Sequence, residues 1–160
     1  VELIATLNAY FDVIASQIDA GGGEILKFIG DAVLAIFPVT TSRDRGDACR
    51  VALQTARQVN DKLAEWTTER DEEGLPVLRH GIGLHFGDVQ YGNIGSDERL
   101  DFTVIGRAVN LAARIEGQCS KLGRQTLVTE LFMRLADAKL NYVGEFEPKG
   151  FDGATRIYAL

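Results

Sequence analysis

The sequence predicts an α+β fold: a mostly antiparallel sheet with helices packed on one face. Three observations carry that expectation. Apolar residues recur every three or four positions through two long stretches, as on amphipathic helices. Short runs of Ile, Val, Leu and Phe, several beside glycine-containing turns, read as strands. Along the chain these elements follow the order α-β-β-α-β-β-β-α-β-α-β-β, with the strands grouped as in an α+β protein.

Each element has a local reason. Leu3, Ile4, Leu7, Tyr10, Phe11, Ile14 and Ile18 make the apolar stripe of the first helix. Gly21-Gly22-Gly23 ends it. Residues 24–29 and 32–37 form a β-hairpin turned at Gly30-Asp31, and Pro38 closes its second strand. A second helix starts near residues 42–44, with those residues as cap candidates. Ala48, Val51, Ala52, Thr55, Val59, Leu63 and Trp66 form its buried stripe. Residues 68–76, TERDEEGLP, read as a charged loop. Residues 78–86 read as a strand that turns at Gly87-Asp88 into a partner strand, VQYGNIG. A strand at 100–105, a third helix at 107–121 and a strand at 126–128 follow. A short helix capped by Thr129 and two strands, around 140–147 and 155–159, complete the chain.

Bulk properties narrow the function classes. The 160 residues suit one domain, spanning 1–160, with 46% hydrophobic and 25% charged residues. A net charge of −6 argues against general nucleic-acid or membrane-surface binding. A phosphate site must then rest on a few placed cations. The two cysteines, Cys49 and Cys119, form neither a metal spacing nor a disulfide framework, as expected of a reducing, cytoplasmic compartment. No apolar run is long enough to span a membrane.

Four places could carry chemistry. Asp31 at the hairpin tip is either plain turn chemistry or an oxygen ligand for Mg²⁺, which takes one or two protein carboxylates with substrate phosphates. Gly-Asp is not the favoured turn order, which weighs toward a ligand. Lys27 shares a face with Ile25 and Ile29 if its strand alternates, so it is either an edge residue with a covered stem or a cation in a polar pocket. Asn110 and Arg114, four apart, point the same way off a helix that is otherwise apolar and small. A buried or interfacial helix needs partners for such groups, and Arg suits an oxyanion. Lys149-Gly150, after Pro148, lies in a loop and is either a phosphate contact or an ordinary loop residue. His80 and His85, on opposite faces of one expected strand, read as structural.

Together, GGGEILKFIGDAVLAIFP, GIGLHFGDVQYGNIG and RLDFTVIGRAVNLAARIE resemble the catalytic domain of class III nucleotidyl cyclases, across essentially the whole chain. The resemblance implies a ferredoxin-like α+β core and a head-to-tail homodimer with active sites at the subunit interface. It implies ATP as substrate, 3′,5′-cyclic AMP and pyrophosphate as products, and two Mg²⁺ or Mn²⁺ as cofactors. Asp31 matches a metal-binding aspartate. Lys27 and Thr103 match the two base-reading positions, and Val104 would touch the base through its backbone. A Lys at the first position and a Thr at the second point to adenine. Asn110 matches the residue that orients the ribose, Arg114 the one that stabilises charge on the α-phosphate, and Lys149 the one that binds the terminal phosphates. Asp31 of one protomer would complete a site formed by Lys27, Thr103, Asn110, Arg114 and Lys149 of its partner.

Two positions depart from the family pattern. The family carries a second metal aspartate on a strand ahead of the first helix, and nothing in residues 1–20 matches it. The chain is therefore expected to be the ordered remainder of a longer protein, lacking its first strand and binding metal poorly alone. Regulatory domains, and any membrane tether, are expected outside it. Asp88 stands where some relatives place a phosphate-binding cation. Two other readings compete. One is a catalytically inactive cyclase-like module for dimerisation or nucleotide binding. The other is a diguanylate cyclase, which places acidic residues directly after paired glycines at its hairpin tip, unlike Gly30-Asp31.

Overall fold

The computed structural model describes residues 1–160. The chain divides into two compact units, 1–80 with 135–138, and 81–134 with 139–160.

In the first unit, α1 (Glu2–Ala20) leads into the hairpin β1 (Glu24–Ile29) and β2 (Ala32–Ile36), and α2 (Arg45–Glu72) follows. The turn after α1 is closed by the backbone N–H groups of Gly22 and Gly23, which donate to the Asp19 and Ile18 carbonyls at 3.0 and 2.9 Å. The Asp44 carboxylate caps α2 by accepting from the Asp47 N–H at 2.8 Å. Along α2, Ala48, Cys49, Ala52, Leu53, Thr55, Ala56, Val59 and Leu63 are buried: five residues of the expected stripe, with Cys49, Leu53 and Ala56 added. Val51 and Trp66, counted in that stripe from spacing, are only half-buried.

The charged segment 68–76 is not a loop throughout. α2 continues to Glu72, because Thr, Glu and Arg all tolerate a helix and the breakers arrive only at Gly74 and Pro76. Arg70 pins this end: its Nε donates to the Pro76 carbonyl at 2.6 Å, its Nη2 donates to Thr6 Oγ1 on α1 at 3.0 Å, and its guanidinium lies 4.9 Å from the Trp66 ring.

The second unit holds β3 (Ile82–Leu84), β4 (Gln90–Ser96), β5 (Arg99–Ile105), α3 (Arg107–Glu116), α4 (Cys119–Leu122), β6 (Thr126–Thr129), the start of α5 (Glu130–Ala136), β7 (Asn141–Phe146) and β8 (Thr155–Ala159). Its four-stranded sheet runs β3-β6-β8-β7, with β3 parallel to β6 and the other pairs antiparallel. Strands β4 and β5 form a separate hairpin paired over seven positions. The α+β class therefore holds. Three expectations do not. The strand expected at 78–86 shrinks to three residues and leaves both histidines outside it. Its partner is β6 rather than the VQYGNIG segment, which pairs with β5. The single helix expected at 107–121 breaks at Gly117, whose N–H returns to the Ala113 carbonyl at 3.0 Å.

The core of this unit is Leu111, Ile115, Cys119, Leu127, Ile157 and Ala159, with Val143, Phe146 and Phe151 packed against it. Both cysteines are buried, and burial pushes their thiols up to about 11, which keeps them protonated and inert. No helix is long and apolar enough to cross a membrane.

Candidate active site

The hairpin of the first unit carries Lys27 and Asp31. A bulge falls between Ile25 and Lys27, so two residues of β1 face one residue step of β2. The simple alternation that would set Ile25, Lys27 and Ile29 on one face is interrupted there. Lys27 is exposed, as is Phe28, whose ring meets Phe11 of α1 edge-on at 4.9 Å. Gly30 has φ +61 and Asp31 is outside the left-handed region, the pattern of a II′ turn with glycine first. That explains the Gly-Asp order by backbone geometry, so the order by itself carries no evidence of a ligand. The turn still leaves the Asp31 carboxylate exposed at the tip, in no ion pair within the chain.

The second unit gathers the remaining candidates on three neighbouring pieces. On β5, Thr103 and Val104 pair with Gly92 and Tyr91 of β4 and are half-buried. The Thr103 hydroxyl donates a long bond, 3.4 Å, to the Asp101 carbonyl, a weak contact that a ligand can displace. Directly after β5, α3 presents Asn110 and Arg114 on its exposed side. The opposite side is fixed by close packing on β3. A Cβ at Gly83 would overlap the Ala112 carbonyl, and one at Gly81 would lie 2.9 Å from Cys119 Cβ. Gly83 lets α3 approach β3, Gly81 just before the strand makes room for Cys119 of α4 and the Glu116 side chain at the end of α3, and Ile115 is fully buried. That fit leaves Asn110 and Arg114 one turn apart on a rigid support.

Lys149 occupies the corner of a tight turn. The Phe151 N–H donates to the Pro148 carbonyl at 3.1 Å, and Gly150, with φ +86, takes the position of a type II turn that demands positive φ. Pro148 is buried, Lys149 is exposed, and Phe151 packs into the core while the Arg107 guanidinium lies 4.8 Å from its ring centre. Arg107, Phe151 and the glycine pair were not singled out from the sequence. The G-x-G alternation in GIGLHF was the available signal for close helix approach.

The histidines are structural, as expected, though not by sharing a strand. His80 Nε2 donates to Asn60 Oδ1 at 2.6 Å, and His85 Nδ1 meets Thr129 Oγ1 at 2.7 Å. Burial lowers both pKa values. The Thr129 hydroxyl also accepts from the Phe132 N–H at 3.3 Å, the expected cap of α5.

Comparison with known proteins decides the family. A family model described as the adenylate and guanylate cyclase catalytic domain matches residues 1–160. The chain belongs to this cyclase family. It is 39% identical over 169 aligned positions to an adenylate cyclase of Anabaena cylindrica, covering 100% of this chain and 32% of that protein. It is 33% identical to adenylate cyclase 1 of Rhizobium meliloti, covering 99% of this chain and 24% of the relative. The chain thus spans about a quarter to a third of the curated cyclases it resembles. Among solved structures, the guanylyl cyclase Cya2 superposes with a TM-score of 0.81 at 30% identity, over 99% of this chain and 79% of that one. A nucleotidyl cyclase domain accounts for the α+β architecture described above.

Proposed function

We propose that residues 1–160 form one catalytic domain of a cytoplasmic adenylate cyclase. It converts ATP to 3′,5′-cyclic AMP and pyrophosphate, with active sites shared across a homodimer. The observation that carries this reading is the arrangement of Asn110 and Arg114 on the exposed side of a helix whose other side is locked into the core, beside a structured turn that presents Lys149. The two adenylate cyclase relatives support the choice of nucleotide.

In this reading the ribose 3′-oxygen attacks the α-phosphorus, its proton is lost, and the bond to the bridging oxygen of the leaving pyrophosphate breaks. Asn110 orients the ribose. Arg114 meets the charge that develops on the α-phosphate, where a fixed, always-protonated donor gains most. Lys149 holds the terminal phosphates. Lys27 donates to a ring acceptor of adenine, and the Thr103 hydroxyl accepts from its amino group beside the Val104 backbone. Asp31 is contributed from one protomer to Asn110, Arg114 and Lys149 of its partner. The exposed Asp31 carboxylate is a hard oxygen donor that fits Mg²⁺ or Mn²⁺. No cluster of three or more potential ligands stands beside it, so most of the shell must come from phosphate oxygens, water and any second carboxylate. Divalent ions bound there supply activation of the nucleophile and charge neutralisation of the triphosphate.

Similarity to the guanylyl cyclase Cya2 favours one competing reading, with GTP as substrate. Offering ATP and GTP separately with Mn²⁺ and quantifying both cyclic nucleotides distinguishes the two. Cyclic AMP in excess supports the adenylate reading. Cyclic GMP in excess replaces it, and no cyclic product from either points to a non-catalytic module.

A further inference from the structure

The start of α3 breaks a local rule. Helices favour acidic residues in their first turn because the N-terminal end of the dipole is positive. Here the first helical residue is Arg107, and the first turn holds no acidic residue. The guanidinium is not spent on an ion pair. It lies over the Phe151 ring, 4.8 Å from its centre. Phe151 is the closing residue of the turn that presents Lys149, and it is also packed on the core cluster that holds α3 through Leu111 and Ile115. One side chain therefore joins the helix bearing Asn110 and Arg114 to the turn bearing Lys149.

Resting on the cyclase reading above, we propose that Arg107 is a positioning residue for nucleotide binding. Its stack on Phe151 clasps the Pro148–Phe151 turn to the start of α3 and sets where the Lys149 ammonium stands relative to Arg114. Pro148 is buried at one end of the turn and Phe151 packs against the core at the other, and the Arg107 stack adds a contact from the helix side. A lysine held in place loses less freedom when it binds phosphate, so the clasp acts on affinity for the triphosphate rather than on the chemical step.

The test uses the natural-length protein with Arg107→Ala, Arg107→Lys, Phe151→Leu and Lys149→Ala. ATP turnover is measured, and tripolyphosphate binding is followed by calorimetry, which needs no catalysis. Phe151→Leu keeps an apolar plug in the core but removes the aromatic face. The clasp predicts that Arg107→Ala and Phe151→Leu each weaken tripolyphosphate binding and raise the ATP KM by about two- to fivefold, with kcat nearly unchanged. Arg107→Lys, which keeps a cation over the ring, should restore most of the loss. Combining Arg107→Ala with Lys149→Ala should add little, because the clasp acts through that lysine. Unchanged tripolyphosphate affinity in both Arg107→Ala and Phe151→Leu overturns the clasp. So does an additive double variant, which would mean that Arg107 touches phosphate itself. Failure of the cyclase reading is separate: it would show as absent ATP turnover in the unsubstituted protein, while the calorimetric comparison still decides the clasp.

Discussion

Arg114 is the residue on which the proposed chemistry depends most. It is exposed, enters no ion pair within the chain, and leaves a helix that cannot shift without displacing Ile115 from the core. Replacement by alanine should cost kcat about a hundredfold or more, by analogy with removal of one oxyanion donor, while the melting temperature stays near that of the unsubstituted protein. The two histidines make an opposite prediction, on stability rather than activity. Burial lowers both pKa values, so the folded state disfavours the imidazolium relative to the unfolded chain. Stability from these groups is complete above the unfolded value of about 6.5 and is lost as pH falls from there through the lowered folded values. Melting temperature should therefore drop between pH 7.5 and pH 5.5. The drop should shrink in His85→Gln, whose amide can still meet Thr129 but does not titrate in this range.

At the scale of elements, β3 and α3 determine how firmly the site is built. Gly83→Ala pushes a methyl group into the Ala112 carbonyl, which is backbone and has nowhere to go. That substitution should destabilise by about 1–3 kcal/mol. In a chain of this size each kcal/mol corresponds to roughly 2–4 °C of melting temperature. It should also reduce activity, because it moves the helix bearing Asn110 and Arg114. These same elements show what local pattern reveals and what it hides. The first hairpin, α2 and the Thr129 cap were legible because turn glycines, apolar periodicity and a capping side chain act over a few residues. The pairing of β3 was not. Residues 78–86 look like half of a hairpin with VQYGNIG, but β4 finds a seven-position partner in β5, and the glycine-rich β3 is left under α3 beside β6. Strand partnership is decided by distant segments, and no short window contains them. The Asp31 turn shows the converse: its residue order, read as a functional hint, is what a II′ turn asks for.

For the molecule as a whole, the order of elements was enough to predict the α+β class, and the motifs together were enough to predict the family. The distribution of the candidates over the chain explains why single motifs were not. Asp31 and Lys27 lie on a hairpin of one unit, while Asn110, Arg114 and Lys149 belong to the other. Each side chain alone is an exposed polar residue with an ordinary explanation. In the proposed homodimer the carboxylate and the phosphate-binding cations of one site come from different protomers, so the loss of either cannot be compensated within its own chain.

Two lesions that complement each other test this account most directly. Asp31→Ala and Arg114→Ala are expressed separately and then together at equal dose, and cyclic AMP formed from ATP is measured. Each alone should be nearly silent. Together, half of the dimers are mixed and each mixed dimer has one intact site of two, so activity should return to about a quarter of the unsubstituted level. A coexpressed pair that forms dimers yet stays as silent as either single variant would contradict a catalytic site shared between protomers.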